Sequence, residues 1–114
     1  MFKIGDFAYI VEILDFSPIE ETLQTAQIKK LKIDNIIENK VKLVSGFPTI
    51  PRVIDIWGLN KTIEDANKMA ITFLINKLEF GKVINNYTIK DYEDLEKKHP
   101  ELIFKYLERV KIED

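Results

Sequence analysis

The chain contains no cysteine, a single histidine and only four glycines in its 114 residues. Without cysteine it can form no disulfide, no thiolate zinc site and no cysteine nucleophile. The glycines stand at positions 5, 46, 58 and 81, each at a boundary between predicted elements, so there is no glycine-rich phosphate loop. Thiol-dependent enzymes and nucleotide enzymes that cradle phosphates in such a loop are therefore excluded.

An excess of charge of one sign and long apolar runs are also lacking. The 17 basic and 19 acidic residues give a net charge of −2, which offers no general attraction to a nucleic-acid backbone. No segment approaches the roughly 20 apolar residues that a membrane span needs. We expect a cytoplasmic protein with no membrane partner and a single domain over residues 1–114, in which a β-rich part (1–60) precedes a helical part (61–114).

The first half of the chain has the two-residue periodicity of strands. Residues Phe7–Leu14 are largely apolar on both faces, which predicts a central strand. Shorter strands are predicted over 41–44 and 53–57, with turn residues at 34–35 and 38–40. Because no helix long enough for a parallel crossover lies between these segments, we expect a curled antiparallel sheet or a small barrel.

A second extended segment, residues 22–33, changes its phase midway. Its apolar residues fall in one phase at Ala26 and Ile28 and in the other phase at Leu31 and Ile33. A shift of one residue turns the buried face over. The pattern therefore predicts a β-bulge near 29–30, or two strands joined by a bend.

The second half of the chain changes to helical periodicity at Thr62. The Thr62 hydroxyl is predicted to accept a hydrogen bond from the N–H of Asp65, and Gly81 is predicted to follow the helix, which ends at about 78–80. Two apolar stripes run along this helix, one formed by Ala66, Met69, Ala70, Phe73 and Phe80 and the other by Ile71, Ile75 and Leu78. Because a helix on a sheet needs only one apolar face, we expect another element to cover the second stripe.

The C-terminal residues supply that cover. Thr88 followed by Asp91 predicts the start of a short charged helix, and Pro100 predicts the start of another helix over 101–110. The last helix has an apolar stripe of Leu102, Ile103, Tyr106, Leu107 and Val110. We predict that it packs on Ile71, Ile75 and Leu78; left uncovered, that face would serve a partner or homo-oligomerisation.

These elements predict an α+β fold. A small curled antiparallel sheet or barrel of four or five strands is followed by a long amphipathic helix and two short C-terminal helices.

No candidate catalytic, metal or cofactor residue emerges. His99 precedes a proline at a helix junction, and no partner that would orient its ring is evident. The acidic residues of the same region project in different directions on a helix and lack the spacing of a calcium loop. We therefore predict a protein that is not an enzyme. A pocket that brought His99 together with a carboxylate would reopen that conclusion.

Two surfaces are candidates for a protein partner. Phe47 and Trp57 flank a proline-stiffened loop, and Trp57 is either a core residue or the aromatic floor of a binding face. The second surface is the acidic face formed by Asp91, Glu93, Asp94 and Glu96.

A different function is indicated by a basic strip. Its members are Lys29, Lys30, Lys32, Lys40 and Lys42. They are either solvated positions on the strands or the phosphate contacts of a small nucleic-acid-binding barrel, with Tyr9 or Trp57 stacking on bases.

Three short motifs carry a resemblance to a known group of proteins. Residues 5–10 (Gly-Asp-Phe-Ala-Tyr-Ile), 28–31 (Ile-Lys-Lys-Leu) and 62–66 (Thr-Ile-Glu-Asp-Ala) resemble small SH3-like barrel domains of bacteriophages and other mobile elements, over about residues 4–80. The resemblance implies binding rather than catalysis. Several small acidic phage proteins without cysteine inhibit host nucleases or other defence proteins, and the resemblance extends that expectation to this chain.

Overall fold

The computed structural model describes residues 2–14, 25–44 and 52–113. It has the predicted α+β architecture, a curled half-barrel sheet followed by three helices. The elements are β1 (Phe7–Leu14), β2 (Thr25–Ile37), β3 (Lys40–Val44), β4 (Arg52–Asp55), α1 (Ile63–Glu79), α2 (Ile89–Lys98), α3 (Pro100–Tyr106) and β5 (Val110–Glu113). Two short 3-10 turns follow β4 and α3, at Ile56–Gly58 and Leu107–Arg109.

The long strand β2 organises the sheet. One of its edges pairs antiparallel with β1, while its other edge pairs with β3 over residues 32–37 and with β5, in parallel, over residues 26–29. The register with β3 shifts between Ile33 and Asn35, which places a bulge at Asp34. Such a bulge bends the strand and increases its twist, so it helps to curl the sheet.

The predicted bulge at 29–30 is wrong, and the predicted turn at 34–35 lies within β2. The β1–β2 register runs without interruption from Phe7 opposite Lys32 to Leu14 opposite Thr25. The buried face changes because β2 meets a different apolar core on each side. Ala26 belongs to the core under the helices, whereas Ile33 belongs to the core inside the curl.

The strand β1 lies at the end of the sheet order and not in its centre. Its outer edge is bridged at Tyr9, whose N–H donates to the carbonyl of Asn60 (2.8 Å) and whose carbonyl accepts from the N–H of Asn60 (3.0 Å). Both faces of β1 are apolar because each faces a core, with Ile10 on one side and Ile13 on the other.

Two apolar clusters stabilise the fold. Inside the curl lie Ala8, Ile10, Leu31, Ile33, Val41, Leu43 and Leu59. Between the sheet and the helices lie Ala26, Ala70, Ile71, Leu74, Ile75, Leu95, Ile103 and Tyr106. No helix in the described part of the chain is long and apolar enough to cross a membrane.

The helix α1 begins and ends as its sequence predicts. The Thr62 hydroxyl accepts from the N–H of Asp65 at 3.1 Å, and Gly81 follows the helix with a φ of +63°. A positive φ is accessible to glycine at little cost, so Gly81 suits the turn that leaves the helix. The first apolar stripe is buried as far as Ala70, whereas Phe73 is half-buried and Phe80 is 42% exposed.

The predicted packing of the C-terminal stripe is confirmed for most of its residues. Ile103 and Tyr106 are buried in the same cluster as Ile71 and Ile75, and Leu78 packs against it. The predicted helix over 101–110 is too long, however. It ends at Tyr106, and a 3-10 turn leads into β5, which leaves Leu107 half exposed.

Candidate functional site

Trp57 lies on the 3-10 turn after β4, not at the end of a strand as predicted. Its half-buried ring packs edge-on against Phe73 of α1, with centroids 6.3 Å apart, and Phe73 packs in the same way against Tyr87 (5.9 Å). Trp57 and Met69 line two neighbouring cavities. Trp57 is therefore neither a purely core residue nor a free surface ring, because it forms a wall of both concavities.

The first concavity, here called the Trp57 cavity, has a volume of about 390 Å³. It is lined by Trp57, Leu59, Asn60, Asp65, Met69, Tyr87, Thr88 and Ile89. Its volume and its mixture of an apolar wall with a few polar groups are those of ligand sites in proteins. The first turn of α1 and the residues that precede α2 meet here, so the site depends on the packing of the helices against the sheet.

Asn60 fixes one side of the Trp57 cavity. It is only 7% exposed, and its side-chain N–H groups donate to the carbonyl of Tyr9 (3.2 Å) and to the Met69 sulfur (3.5 Å). Together with the backbone bridge to Tyr9, these bonds hold the segment between Trp57 and α1 against β1. The side-chain N–H groups of Asn60 are thus occupied, while its side-chain carbonyl oxygen can still accept a hydrogen bond.

Tyr87 also lines the Trp57 cavity and is 8% exposed. Its hydroxyl has no hydrogen-bond partner of acceptable geometry within the described part of the chain. The nearby Thr72 hydroxyl donates its proton to the carbonyl of Lys68 (2.8 Å) and so cannot serve Tyr87 as a donor. Burial raises the pKa of Tyr87 to about 12, and the charges of Asp91 and Asp65 add to the rise.

The second cavity, of about 370 Å³, lies on the other side of Trp57 and reaches β1 and β4. It contains the half-buried carboxylate of Glu12, which pairs with Arg52 and with Lys29 (3.1 Å). The side chains of Arg52 and Lys29 compensate the charge of Glu12 where the sheet curls. Since these three residues lie far apart along the chain, no local pattern pointed to this cluster.

A third cavity, of about 520 Å³, contains His99. It is lined by Asn76, Phe80, Lys82, Ile84, Asn85, Asn86, Asp91, Asp94, Leu95, Lys98 and His99. His99 therefore shares a concavity with two carboxylates, the arrangement that would reopen an enzymatic function.

The bonds around His99 are not those of an oriented acid–base pair. Its ring lies beside Phe80 (5.7 Å between centroids), and its Nδ1 faces the exposed Glu101 carboxylate at 3.5 Å. Asp91 accepts from the backbone N–H of Thr88 at 2.9 Å, which caps α2. Among the residues that the structure describes, no hydrogen bond joins His99 to Asp91 or Asp94, so neither carboxylate orients the imidazole.

The four predicted acidic contact residues do not form one face. Asp91 and Asp94 line the His99 cavity, whereas Glu93 and Glu96 are exposed outside it. Burial raises the pKa of Tyr92, and the neighbouring Glu96 raises it further.

Within residues 2–14, 25–44 and 52–113, no group of three or more His, Asp or Glu side chains is arranged to hold a metal ion.

The basic strip is divided between the two faces of the sheet. We call the face that borders the core inside the curl the inner face, and the opposite face the outer one. Because cross-strand partners share a face, the register with β1 and β3 places Lys29 on the inner face. The other four lysines are on the outer face: Lys30, Lys32, Lys40 and Lys42. Two of the outer lysines have acidic neighbours, since Lys40 pairs with Asp55 (2.5 Å) and Lys42 with Asp34 (3.6 Å).

The outer face also carries an aromatic ring that the sequence pattern did not select. Phe7 is 55% exposed, and the Lys30 ammonium lies 4.8 Å from the centre of its ring. Tyr9 is half-buried on the same face. Phe47 and the prolines 48 and 51 lie outside the described residues.

No protein-family model, no curated protein and no solved structure matches this chain.

Proposed function

We propose that this chain is a non-enzymatic, cytoplasmic accessory factor that binds another protein through the surface around Trp57. The observation that carries the proposal is the placement of Trp57, which is half-buried and forms a wall of two cavities of about 390 and 370 Å³. Tryptophan is enriched among the residues that dominate protein–protein binding energy, above all where it sits beside a well-formed pocket.

The packing of Trp57 supports the same proposal. Edge-on contact with Phe73, and of Phe73 with Tyr87, restrains the rings before any partner arrives. Less side-chain entropy is then lost on binding than for a free surface ring, where immobilisation costs about 0.5–1.5 kcal/mol per side chain. A preorganised aromatic residue is a suitable anchor for a partner.

The resemblance to SH3-like phage domains extends the proposal to the kind of partner. By that resemblance the partner is a host defence protein or nuclease, which this chain inhibits. The acidic residues give a second version, in which they mimic nucleic acid. Replacing Asp91, Glu93, Asp94 and Glu96 together by Ala then abolishes capture of the partner, and unchanged capture contradicts that version.

The experiment that tests the proposal is a pull-down from nuclease-treated lysate with three forms of the chain. We expect the wild type to capture a discrete protein, Trp57→Ala to lose it and Phe104→Ala to keep it. Phe104 is a matched control because it is an aromatic residue that is 83% exposed on α3 and lines none of the three cavities described above. Loss with Phe104→Ala and retention with Trp57→Ala would place the contact elsewhere.

A nucleic-acid-binding function is the second candidate, favoured by four lysines on the outer face of the sheet, two of which, Lys30 and Lys32, lie beside Phe7. Lys30 and Lys32 would contact phosphates and Phe7 would stack on a base. Binding of single-stranded oligonucleotide should then weaken steeply as salt rises, because phosphate contacts release counterions. A flat salt response, or equal binding by a Lys30→Ala, Lys32→Ala double variant, excludes it.

A further inference from the structure

The charged group that lines the Trp57 cavity is negative, which favours a positively charged ligand. Among the residues that the structure describes, Asp65 is the only charged one in its lining, with no lysine, arginine or histidine beside it. Asp91 lies close enough for its carboxylate, like that of Asp65, to raise the pKa of Tyr87. The exposed Asp65 carboxylate therefore lies beside the apolar wall formed by Trp57 and Met69, and Asp91 adds a second negative charge near Tyr87.

The same cavity offers hydrogen-bond acceptors. The Asp65 carboxylate accepts only, and the Asn60 side chain already uses its N–H groups on Tyr9 and Met69. The side-chain carbonyl of Asn60 is therefore left to accept from a ligand. A ligand that carries several donors and no acceptor would match these groups.

We propose that the Trp57 cavity receives an arginine side chain of the protein partner, with the guanidinium between Trp57 and Asp65. The inference rests on the proposed function and names the chemistry of the partner at the same site. A guanidinium is planar and permanently charged, presents five donors and no acceptor, and stacks on aromatic rings.

Two other ligands fit less well. A lysine ammonium is a strongly hydrated point charge that cannot stack on the indole or donate as a fork to the carboxylate. A guanine base presents a similar edge of donors, but a nucleotide would also bring phosphates into the negative field of Asp65 and Asp91.

The single tryptophan of the chain makes the test direct, because all tryptophan fluorescence comes from Trp57. The probes are the capped tripeptides Gly-Arg-Gly, Gly-Lys-Gly and Gly-citrulline-Gly, together with guanosine monophosphate. Citrulline has nearly the shape of arginine without its charge. We expect a saturable change in emission with the arginine peptide and binding about tenfold weaker with citrulline, a difference of about 1.4 kcal/mol.

Two variants locate the interaction. Asp65→Asn should lose the response to the arginine peptide, whereas Glu64→Gln should keep it. Glu64 is the matched control because it is an exposed carboxylate in the same helical turn that does not line the cavity. Circular dichroism verifies that both variants are folded.

Several outcomes would overturn the inference. These are no saturable response to the arginine peptide, an equal response to citrulline, an unchanged response in Asp65→Asn, or binding of guanosine monophosphate in place of the peptide. The two proposals fail in different ways. If capture of the protein partner needs Trp57 but survives Asp65→Asn, the arginine inference is wrong and the proposed function stands. If the peptide binds but no captured protein depends on Trp57, the proposed function is wrong.

Discussion

At the scale of the residue, Tyr87 has an unusual environment for a polar side chain. Its ring completes the aromatic series that starts at Trp57, and its buried hydroxyl finds no partner of acceptable geometry among the described residues. A buried hydroxyl without a partner costs about 1–3 kcal/mol. Tyr87 is thus a position where packing around the proposed site takes precedence over hydrogen bonding.

This environment predicts a loss of stability at alkaline pH. The pKa of Tyr87 is raised to about 12 in the folded protein, against about 10 for an ordinary tyrosine. Below pH 10 both states are protonated and the contribution is fully present. Between pH 10 and 12 the unfolded chain ionises first, so stability falls by an amount on the order of 2 kcal/mol.

Urea unfolding at pH 8 and at pH 11 measures the effect. Tyr87→Phe should lose less stability between the two pH values than the wild type. It should be at least as stable at pH 8, because the buried hydroxyl is removed. Tyr9→Phe, which removes the hydroxyl of a half-buried tyrosine on β1, should lose as much as the wild type. An equal loss in Tyr87→Phe would show that burial of Tyr87 does not control the alkaline response.

At the scale of the element, the sequence predicted those features that depend on neighbouring residues. The cap of α1 needs only Thr62 and the backbone of Asp65, and both are visible in the sequence. The phase change within β2 was visible as well, but its cause lies in two cores built from distant segments. Interpreting the phase change as a local β-bulge therefore placed the bulge at 29–30, whereas the register shifts between Ile33 and Asn35.

The sequence signature of the strand β5 was ambiguous. Its four residues (Val110–Glu113) alternate apolar and charged side chains over a length that a helical stripe also explains. It pairs because the end of α3 brings it beside residues 26–29 of β2, where that edge of β2 is not covered by β3. Such a pairing depends on tertiary structure alone.

Removing β5 should weaken the protection of backbone amide hydrogens against exchange in a defined part of β2. In a chain truncated after Arg109, we expect amide hydrogens within residues 26–29 to exchange faster, because their partners on β5 are gone. Amide hydrogens of β2 that bond to β3, within residues 35–37, are the internal control and should change less. Equal changes in both segments, or none, would contradict a structural role for β5.

At the scale of the whole molecule, the two apolar cores share β1 and β2. Leu43 is fully buried inside the curl and Ile75 is fully buried under the helices. Because the same strands border both cores, loss of one core should destabilise the other. The chain should therefore unfold as the single domain that its length predicts.

Two substitutions test this coupling. Leu43→Ala and Ile75→Ala should each lower the free energy of unfolding by about 2–5 kcal/mol, since each leaves a cavity in a packed core. Both variants should retain one transition when urea unfolding is followed by circular dichroism and by the fluorescence of Trp57. Transitions at different urea concentrations for the two signals would show that the sheet and the helices unfold separately.

The candidate site belongs to this whole-molecule scale, which explains why the sequence revealed only part of it. Trp57 was selected as an aromatic residue that flanks a proline-stiffened loop, but Asn60, Asp65 and Tyr87 join it only through folding. Their spacing along the chain follows no motif. In contrast, the four acidic residues of α2 lie close together along the chain, but they are divided between a cavity and open solvent.

The central claim is that a protein partner docks on Trp57, and nuclear magnetic resonance of the ¹⁵N-labelled chain tests it most directly. The chain has one tryptophan, so its spectrum holds one indole N–H signal. On addition of the unlabelled captured protein, we predict that this signal shifts or broadens together with the amide signals of Asn60 and Asp65. An indole signal that stays unchanged while signals from another surface move would contradict the claim.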